Sequence, residues 1–487
     1  MPDQPLERIA RWTPLFILTY FTAQFLIRVT LSGNLEIDEA QFVGETYLAL
    51  GYGNSHPPLY NWLVAGCVWL MGGYWPAGVA LLKNLLLAGT YLLGFDIARR
   101  VTGRALTGLI LVASFLLLPQ VVWKSQITLA HTTLVMFAVV AVLHAVVCIA
   151  ERPDARNYLW LGLAAAIGGL AKYNFFLMLV AILIAAASIP YLRARLFTRK
   201  LAYSIALFAV LFAPHLIWAA QNIAQSTQRM AKLERSNDLF GGIDIPWLGL
   251  DGFLASLVAL AAWTGPLLLA WFAIRHFSTA KPEEPSPPSS ERTQAFMQLF
   301  GRSAAIGLGT FLAIVLFGDL HTVFERYFTP ILITVPLWLV LAWPMEGHGR
   351  APLHFLRLGA LVALLMVTAW PAWIGFGREQ LAYPYESFAA TIGERASGPF
   401  AILAQQRRAA ANLAIRLDRA SVWEEGSRPD QVVLLWDGRQ DAPPKDLIEQ
   451  LGTGFEPRGA PLKMSYPYDN FSGHRAGLNA WVYARKP

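Results

Sequence analysis

A pair of adjacent carboxylates, a proline-locked histidine and a few isolated cations stand out in a chain that is otherwise apolar. Glu36-Ile37-Asp38-Glu39-Ala40-Gln41-Phe42 sets Asp38 beside Glu39, in a segment, 32–76, that carries no Lys or Arg. A carboxylate so placed can take the proton of an attacking hydroxyl. The same residues also fit an ordinary helix start, with Asp38 as N-cap and Glu39 in the first turn. Further on, Gly53-Asn54-Ser55-His56-Pro57-Pro58-Leu59-Tyr60 puts two prolines at the mouth of an apolar run. They fix the backbone there and hold His56 in place. Lys172, followed by Tyr173, sits in Gly169-Leu170-Ala171-Lys172-Tyr173-Asn174, between two apolar runs that nearly abut. A lysine at such a rim either snorkels or meets an anion. Arg326-Tyr327 precedes another apolar run and has the same two readings.

These residues need a frame, and the composition says which kind. Of 487 residues, 55% are hydrophobic and 15% charged, with a mean hydropathy of +0.43. Soluble domains carry roughly 25% charged residues. This excludes a disordered chain and an ordinary cytosolic enzyme and points to a polytopic membrane protein. Eleven apolar runs approach the roughly 20 residues a spanning helix needs: 13–31, 77–98, 105–119, 127–149, 157–171, 174–192, 201–218, 250–274, 303–318, 327–345 and 355–374. The run 57–72 opens with Pro57-Pro58 and is short. Cys67 and Cys148 both lie in apolar stretches and read as packing residues, which excludes a disulfide scaffold.

The formal charge of +7 is mostly topology. With eleven crossings and a cytoplasmic N-terminus, Arg8, Arg11, Arg99, Arg100, Arg104, Arg152, Arg156, Arg193, Arg195, Arg199, Lys200, Arg275, Lys281, Arg292, Arg302, Arg350 and Arg357 fall in the inner loops. The outer loops then hold Lys124, Lys172, Arg229, Lys232, Arg235 and Arg326. This agrees with the positive-inside rule and removes any need for a nucleic-acid partner. A crossing by 57–72 would reverse the bias, so that run is expected to lie on the outer face as an interfacial helix. The first run is expected to stay as an anchor rather than to be cleaved. The proline- and serine-rich stretch 281–291, within a cytoplasmic linker set at 276–301, reads as a flexible connector. No internal repeat is evident.

Charge rises after about residue 376. Strand-like pieces occur at 399–403, 431–436, 462–466 and 478–485, with helix-like stretches at 404–418 and 444–451. The expected organisation is therefore a membrane domain over 1–376, with 32–76 as an outer catalytic loop, and a small outer α/β domain over 377–487. Outer-face carboxylates combined with outer-face cations at headgroup level suit transfer of a group from a lipid phosphate: the acid serves as base and the cations steady the departing phosphate. The cytoplasmic loops contain no glycine-rich phosphate cradle.

The order Asp38-Glu39-Ala40, then His56-Pro57-Pro58-Leu59, then a Lys near the end of a span resembles bacterial GT-C glycosyltransferases related to protein O-mannosyltransferases and to the lipid A aminoarabinose transferase. The likeness covers roughly residues 1–345. It implies an enzyme active on the periplasmic face that takes a sugar from a polyprenyl-phosphate carrier and passes it, with inversion, to an envelope lipid, glycan or protein. By the same resemblance Asp38 matches the catalytic acid of the first loop, His56 the position before the Pro-Pro pair, Lys172 the donor-side lysine, and Arg326-Tyr327 a late basic–aromatic pair. Relatives often carry a second acid at the start of the fourth span, where this chain has Ile127-Thr128-Leu129-Ala130-His131-Thr132-Thr133. His131 is expected to occupy that place.

Asp38 is thus expected to activate the acceptor, with Glu39 as the alternative base. His56, His131, Lys172, Tyr173, Arg326 and Tyr327 are expected to bind donor phosphate or substrate. Asp38 and Lys172 are expected to face one pocket open away from the cytosol. Asp38, Glu39 and His56 are ligand types that divalent ions accept, but no tight spacing demands one, and no cofactor or metal is expected. The expected partners are a polyprenyl-phosphate sugar, a lipopolysaccharide-like acceptor and membrane lipids. The expected state is a monomer in the bacterial inner membrane, with a periplasmic C-terminal domain. A lipid-linked sugar flippase and a protein O-glycosyltransferase are the rival readings. A flippase would show repeated halves and charges deep inside spans.

Overall fold

The structure, a computed structural model, describes residues 4–45, 48–51, 56–227, 250–278, 290–318, 320, 323–376, 380–424 and 426–486. All eleven apolar runs are helical within those residues. Seven helices are long and apolar enough to cross a membrane: Thr13–Leu31, Trp75–Thr102, Ala130–Glu151, Leu201–Gln221, Leu250–Ser278, Glu291–Phe317 and Ala351–Phe376. Two more spans are broken. Ala105–Leu116 bends by 77° into Gln120–Ile127, and Phe175–Ala187 bends by 110° into Pro190–Leu196, where Pro190 interrupts the helix. The remaining two runs form the shorter helices Ala155–Gly169 and Thr329–Ala342. The 57–72 run becomes the 12-residue helix Leu59–Leu70, about 18 Å long and short of a full crossing. The Ser278 and Glu291 helix ends bracket 279–289, so most of the connector lies outside the described residues. Gly53, Asn54, Ser55, Arg229, Lys232 and Arg235 also lie outside them.

The chain forms two compact units. The first comprises Met1–Thr22, Leu48–Tyr60 and Lys83–Leu364. Its central helix, Ala130–Glu151, is apolar on every side because protein surrounds it, and 89% of its most apolar window is buried. Peripheral helices bury much less and expose residues such as Val210, Val258 and Leu269, as suits contact with lipid tails. Small residues let helices approach closely. A Cβ on Gly162 would meet the Ser204 carbonyl oxygen at 2.5 Å, and Ser204 Oγ donates to the Tyr158 carbonyl at 2.6 Å.

The second unit comprises Ala23–Tyr47, Asn61–Leu82 and Leu365–Pro487. It holds a five-stranded sheet: β1 (Phe400–Ala404), β2 (Ala420–Val422), β3 (Gln431–Asp437), β4 (Phe455–Tyr468) and β5 (Phe471–Arg485), in the order β2-β1-β3-β5-β4. β1 pairs in parallel with β2 and β3, and β5 pairs antiparallel with β3 and β4. Alternation along the strands makes two cores. Phe400, Ile402, Val433 and Leu435 face helices Tyr385–Arg395 and Arg407–Ala414, while Leu403, Val432, Leu434 and Trp436 face helix Lys445–Leu451. The first of these cores also takes in Leu35, Ala40 and Val43, so the Asp38 segment is built into the same unit as the sheet.

Candidate active site

In the second unit, Asp38 lies in a single helical turn, Ile37–Ala40. The N-cap is Glu36 rather than Asp38. Glu36 and Glu39 close a reciprocal capping box, in which the Glu36 N–H donates to Glu39 Oε2 at 3.0 Å. Glu39 is 1% exposed, and the same Oε2 accepts from Arg28 Nη2 at 2.8 Å. That guanidinium also donates to the Asn34 carbonyl at 2.7 Å. The Glu39 carboxylate is therefore occupied by ion pair and cap, whereas Asp38 is only half-buried.

Residues of helix Arg407–Ala414 and just beyond it hold this turn. Asn412, fully buried, accepts from Leu35 N–H at 2.7 Å and donates to the Leu35 carbonyl at 3.0 Å. Arg416 donates to the Gly33 carbonyl and to Asn34 Oδ1. Arg407 pairs with Glu45 at 2.7 Å. Sequence reasoning missed Asn412. The signal available was a buried-type amide on a strongly amphipathic helix, which by itself points nowhere.

In the first unit the other candidates gather. Leu129 takes a left-handed conformation, φ 65°, and the central helix starts anew at Ala130. His131 and Thr132 therefore sit in the first turn of a 22-residue helix, where amide donors and the macrodipole favour an anion. The His56 and His131 rings lie 4.3 Å apart, and Tyr60 lies 5.0 Å from His131. The Leu59 N–H donates to the Leu170 carbonyl at 3.2 Å, which ties the Pro57-Pro58 segment to the end of helix Ala155–Gly169, two residues before Lys172. Lys172 Nζ stands 3.5 Å from Thr132 Oγ1 and 5.4 Å from the centre of the Tyr327 ring. The Arg326 guanidinium lies over the Phe324 ring at 4.5 Å, with the Tyr327 ring at 5.9 Å. The geometry thus joins His56, His131, Lys172, Arg326 and Tyr327 in one neighbourhood.

Tyr173 faces elsewhere. Its hydroxyl meets His215 Nε2 at 2.9 Å, and His215 Nδ1 meets the Leu50 carbonyl at 2.5 Å. A carbonyl can only accept, so Nδ1 carries the proton, and in the neutral ring Nε2 accepts from the tyrosine. Sequence reasoning missed both His215, which reads as one histidine in an apolar run, and Thr132. Among the described residues no group of three His, Cys, Asp or Glu has the geometry to hold a metal. Asp38 belongs to the second unit and Lys172 to the first.

The chain thus combines a helical membrane unit with broken spans, a carboxylate in the loop after the first long helix, and a small α/β unit. Comparison with known proteins finds relatives of it. Residues 55–218 match the dolichyl-phosphate-mannose–protein mannosyltransferase family model. The chain is 29% identical to the lipopolysaccharide core galacturonosyltransferase RgtB of Rhizobium johnstonii, with 98% of each chain covered. It is 28% identical to RgtA of the same organism, with 96% of this chain and 98% of the relative covered. The crystal structure of ArnT from Cupriavidus metallidurans bound to undecaprenyl phosphate superposes with a TM-score of 0.56 at 13% identity, over 96% of this chain and 98% of that one. The chain is a multi-pass membrane protein with the GT-C fold.

Proposed function

We propose that the protein transfers a galacturonosyl residue from a polyprenyl-phosphate carrier to the core of lipopolysaccharide, at the periplasmic face of the inner membrane. The observation that carries this reading is the cation-rich neighbourhood at the start of the Ala130–Glu151 helix. Its Lys172, Arg326 and helix amides suit a lipid phosphate. The full-length likeness to two lipopolysaccharide core galacturonosyltransferases supports the sugar and the acceptor.

In this reading the acceptor hydroxyl attacks the anomeric carbon from the face opposite the phosphate. The bond to the phosphate oxygen breaks, its electron pair leaves with the polyprenyl phosphate, and the configuration inverts. Asp38 takes the hydroxyl proton. Lys172 and Arg326 offset the charge that builds on the departing phosphate. His56 and His131 orient the donor, and Tyr173 holds its surroundings through His215. Glu39 keeps Arg28 and the turn in place rather than acting as base. The chemistry calls on no metal or cofactor. The N-terminus lies in the cytoplasm, the α/β unit in the periplasm, and one copy suffices.

The test is transfer in detergent. Purified protein, polyprenyl-phosphate galacturonate and deacylated lipopolysaccharide core are combined, and the acceptor is weighed by mass spectrometry. One added hexuronic acid, lost in Asp38→Asn, is the expected result. An unchanged acceptor, together with movement of the carrier lipid across vesicle leaflets, would establish a flippase instead.

A further inference from the structure

The carboxyl ends of β1 and β3 border a cleft of about 440 Å³ that the transfer chemistry leaves unused. From β1 the chain leaves through helix Arg407–Ala414 to β2, on one side of β1 and one face of the sheet. From β3 it leaves through helix Lys445–Leu451 to β4 and β5, on the other side and the opposite face. Two neighbouring parallel strands whose connections diverge open a crevice at their carboxyl ends, and α/β sheets bind ligands at such points.

The lining has a definite chemistry. Three arginines, Arg408, Arg439 and Arg475, line the cleft together with one carboxylate, Asp437. Arg439 is 90% exposed and reaches Asp437 at 2.6 Å. Arg475 donates to Ser465 Oγ at 3.0 Å rather than to an acid. Arg408 stands 3.9 Å from Glu36. Guanidinium forks bind carboxylate and phosphate groups in two-point fashion. Tyr383 and Tyr468 add aromatic walls, with ring centres 5.8 Å apart, and Tyr383 is fixed by its hydroxyl donating to the Gly477 carbonyl at 3.1 Å. Burial lifts the Tyr383 hydroxyl well above its ordinary range, so it stays a neutral donor. Gln405 and Gln406, both exposed, bring amide groups to the rim.

We propose that this cleft binds an anionic oligosaccharide segment: arginines take its carboxylate or phosphate, Tyr383 and Tyr468 its sugar faces, and Gln405 and Gln406 its hydroxyls. The inference rests on the proposed function in one respect, that the segment is part of the acceptor glycan remote from the reacting hydroxyl. The cleft would then hold the acceptor by its charged sugars.

Calorimetric titration of the full chain in detergent, without donor, tests this. The probes are trigalacturonic acid, maltotriose and inorganic phosphate. Trigalacturonic acid should bind at least about tenfold more tightly than either of the others, since charge and sugar face must both be present. Arg439→Ala and Arg475→Ala should each weaken it about five- to tenfold. Asp437→Asn should tighten it, an outcome that a merely structural arginine pair does not produce. Maltotriose or phosphate binding as well as trigalacturonic acid, or affinity indifferent to all three substitutions, would overturn the proposal. A protein that binds the probe yet transfers no sugar leaves the cleft standing and defeats the transfer reading. One that transfers sugar but does not bind the probe defeats the cleft alone.

Discussion

Lys172 Nζ lies 5.4 Å from the centre of the Tyr327 ring, bringing together two residues that are far apart in the chain. The ring steadies a cation that also reaches Thr132, and so aims it at the start of the central helix. Lys172→Met should lower kcat about 100-fold, the scale for losing one preorganised electrostatic contact. Tyr327→Phe keeps the ring and should retain most activity, while Tyr327→Leu should not. Initial rates with saturating acceptor read the difference.

The two adjacent carboxylates should separate cleanly. Asp38→Asn should abolish transfer with the unfolding temperature unchanged. Glu39→Gln strands the buried Arg28 charge and should cost about 3 kcal/mol, with a matching fall in unfolding temperature in detergent. Equal thermal effects of the two changes would contradict the division of roles.

Asn412 tests whether the α/β unit holds the Asp38 turn. Asn412→Leu leaves the Leu35 N–H and C=O buried and unsatisfied, at about 1–3 kcal/mol each. It should lower kcat while the KM for the polyprenyl-phosphate donor stays constant. A parallel change in donor KM would argue for general unfolding.

Asp469 supplies a pH signature. Partial desolvation of its inner face raises its carboxyl above the ordinary range, Arg416 opposes the rise and Glu386 adds to it. A raised carboxyl favours the folded state in its protonated form. That contribution is full below the ordinary carboxylate range and is lost as pH rises through the folded value. At pH 7 the ionised group is therefore a liability. Asp469→Asn should raise the unfolding temperature at pH 7 and bring less gain at pH 4, as scanning fluorimetry would show.

The orientation can be checked with a cysteine at Asp441, a solvent-exposed side chain in the α/β unit. In intact cells with a permeable outer membrane, a membrane-impermeant maleimide should label it. Labelling only after lysis would place that unit in the cytoplasm.

Much of this was legible in the residues. Apolar runs are long and repetitive, so helices at all eleven places could be read directly. β1, β3 and β5 follow from short β-branched and aliphatic runs, whereas β2, only three residues long, carries no pattern of its own. Lys172 and Arg326 announced themselves because a cation is costly beside apolar runs. Thr132 and His215 did not, since a hydroxyl or an imidazole in a helix is commonplace until its partner is known. The incorporation of Leu35, Ala40 and Val43 into the sheet's core was hidden by more than 300 intervening residues, because local patterning carries no information on distant packing.

Helices Ala155–Gly169 and Phe175–Ala187, on either side of Lys172, have 15 and 13 residues and so reach only about 20–23 Å, against a hydrocarbon layer of about 30 Å. Leu159, Leu163, Val180 and Ile184 on them are open to lipid. A bilayer meeting such short walls thins beside them. The protein would then dimple its own membrane next to the lysine, bringing lipid headgroups down towards its depth.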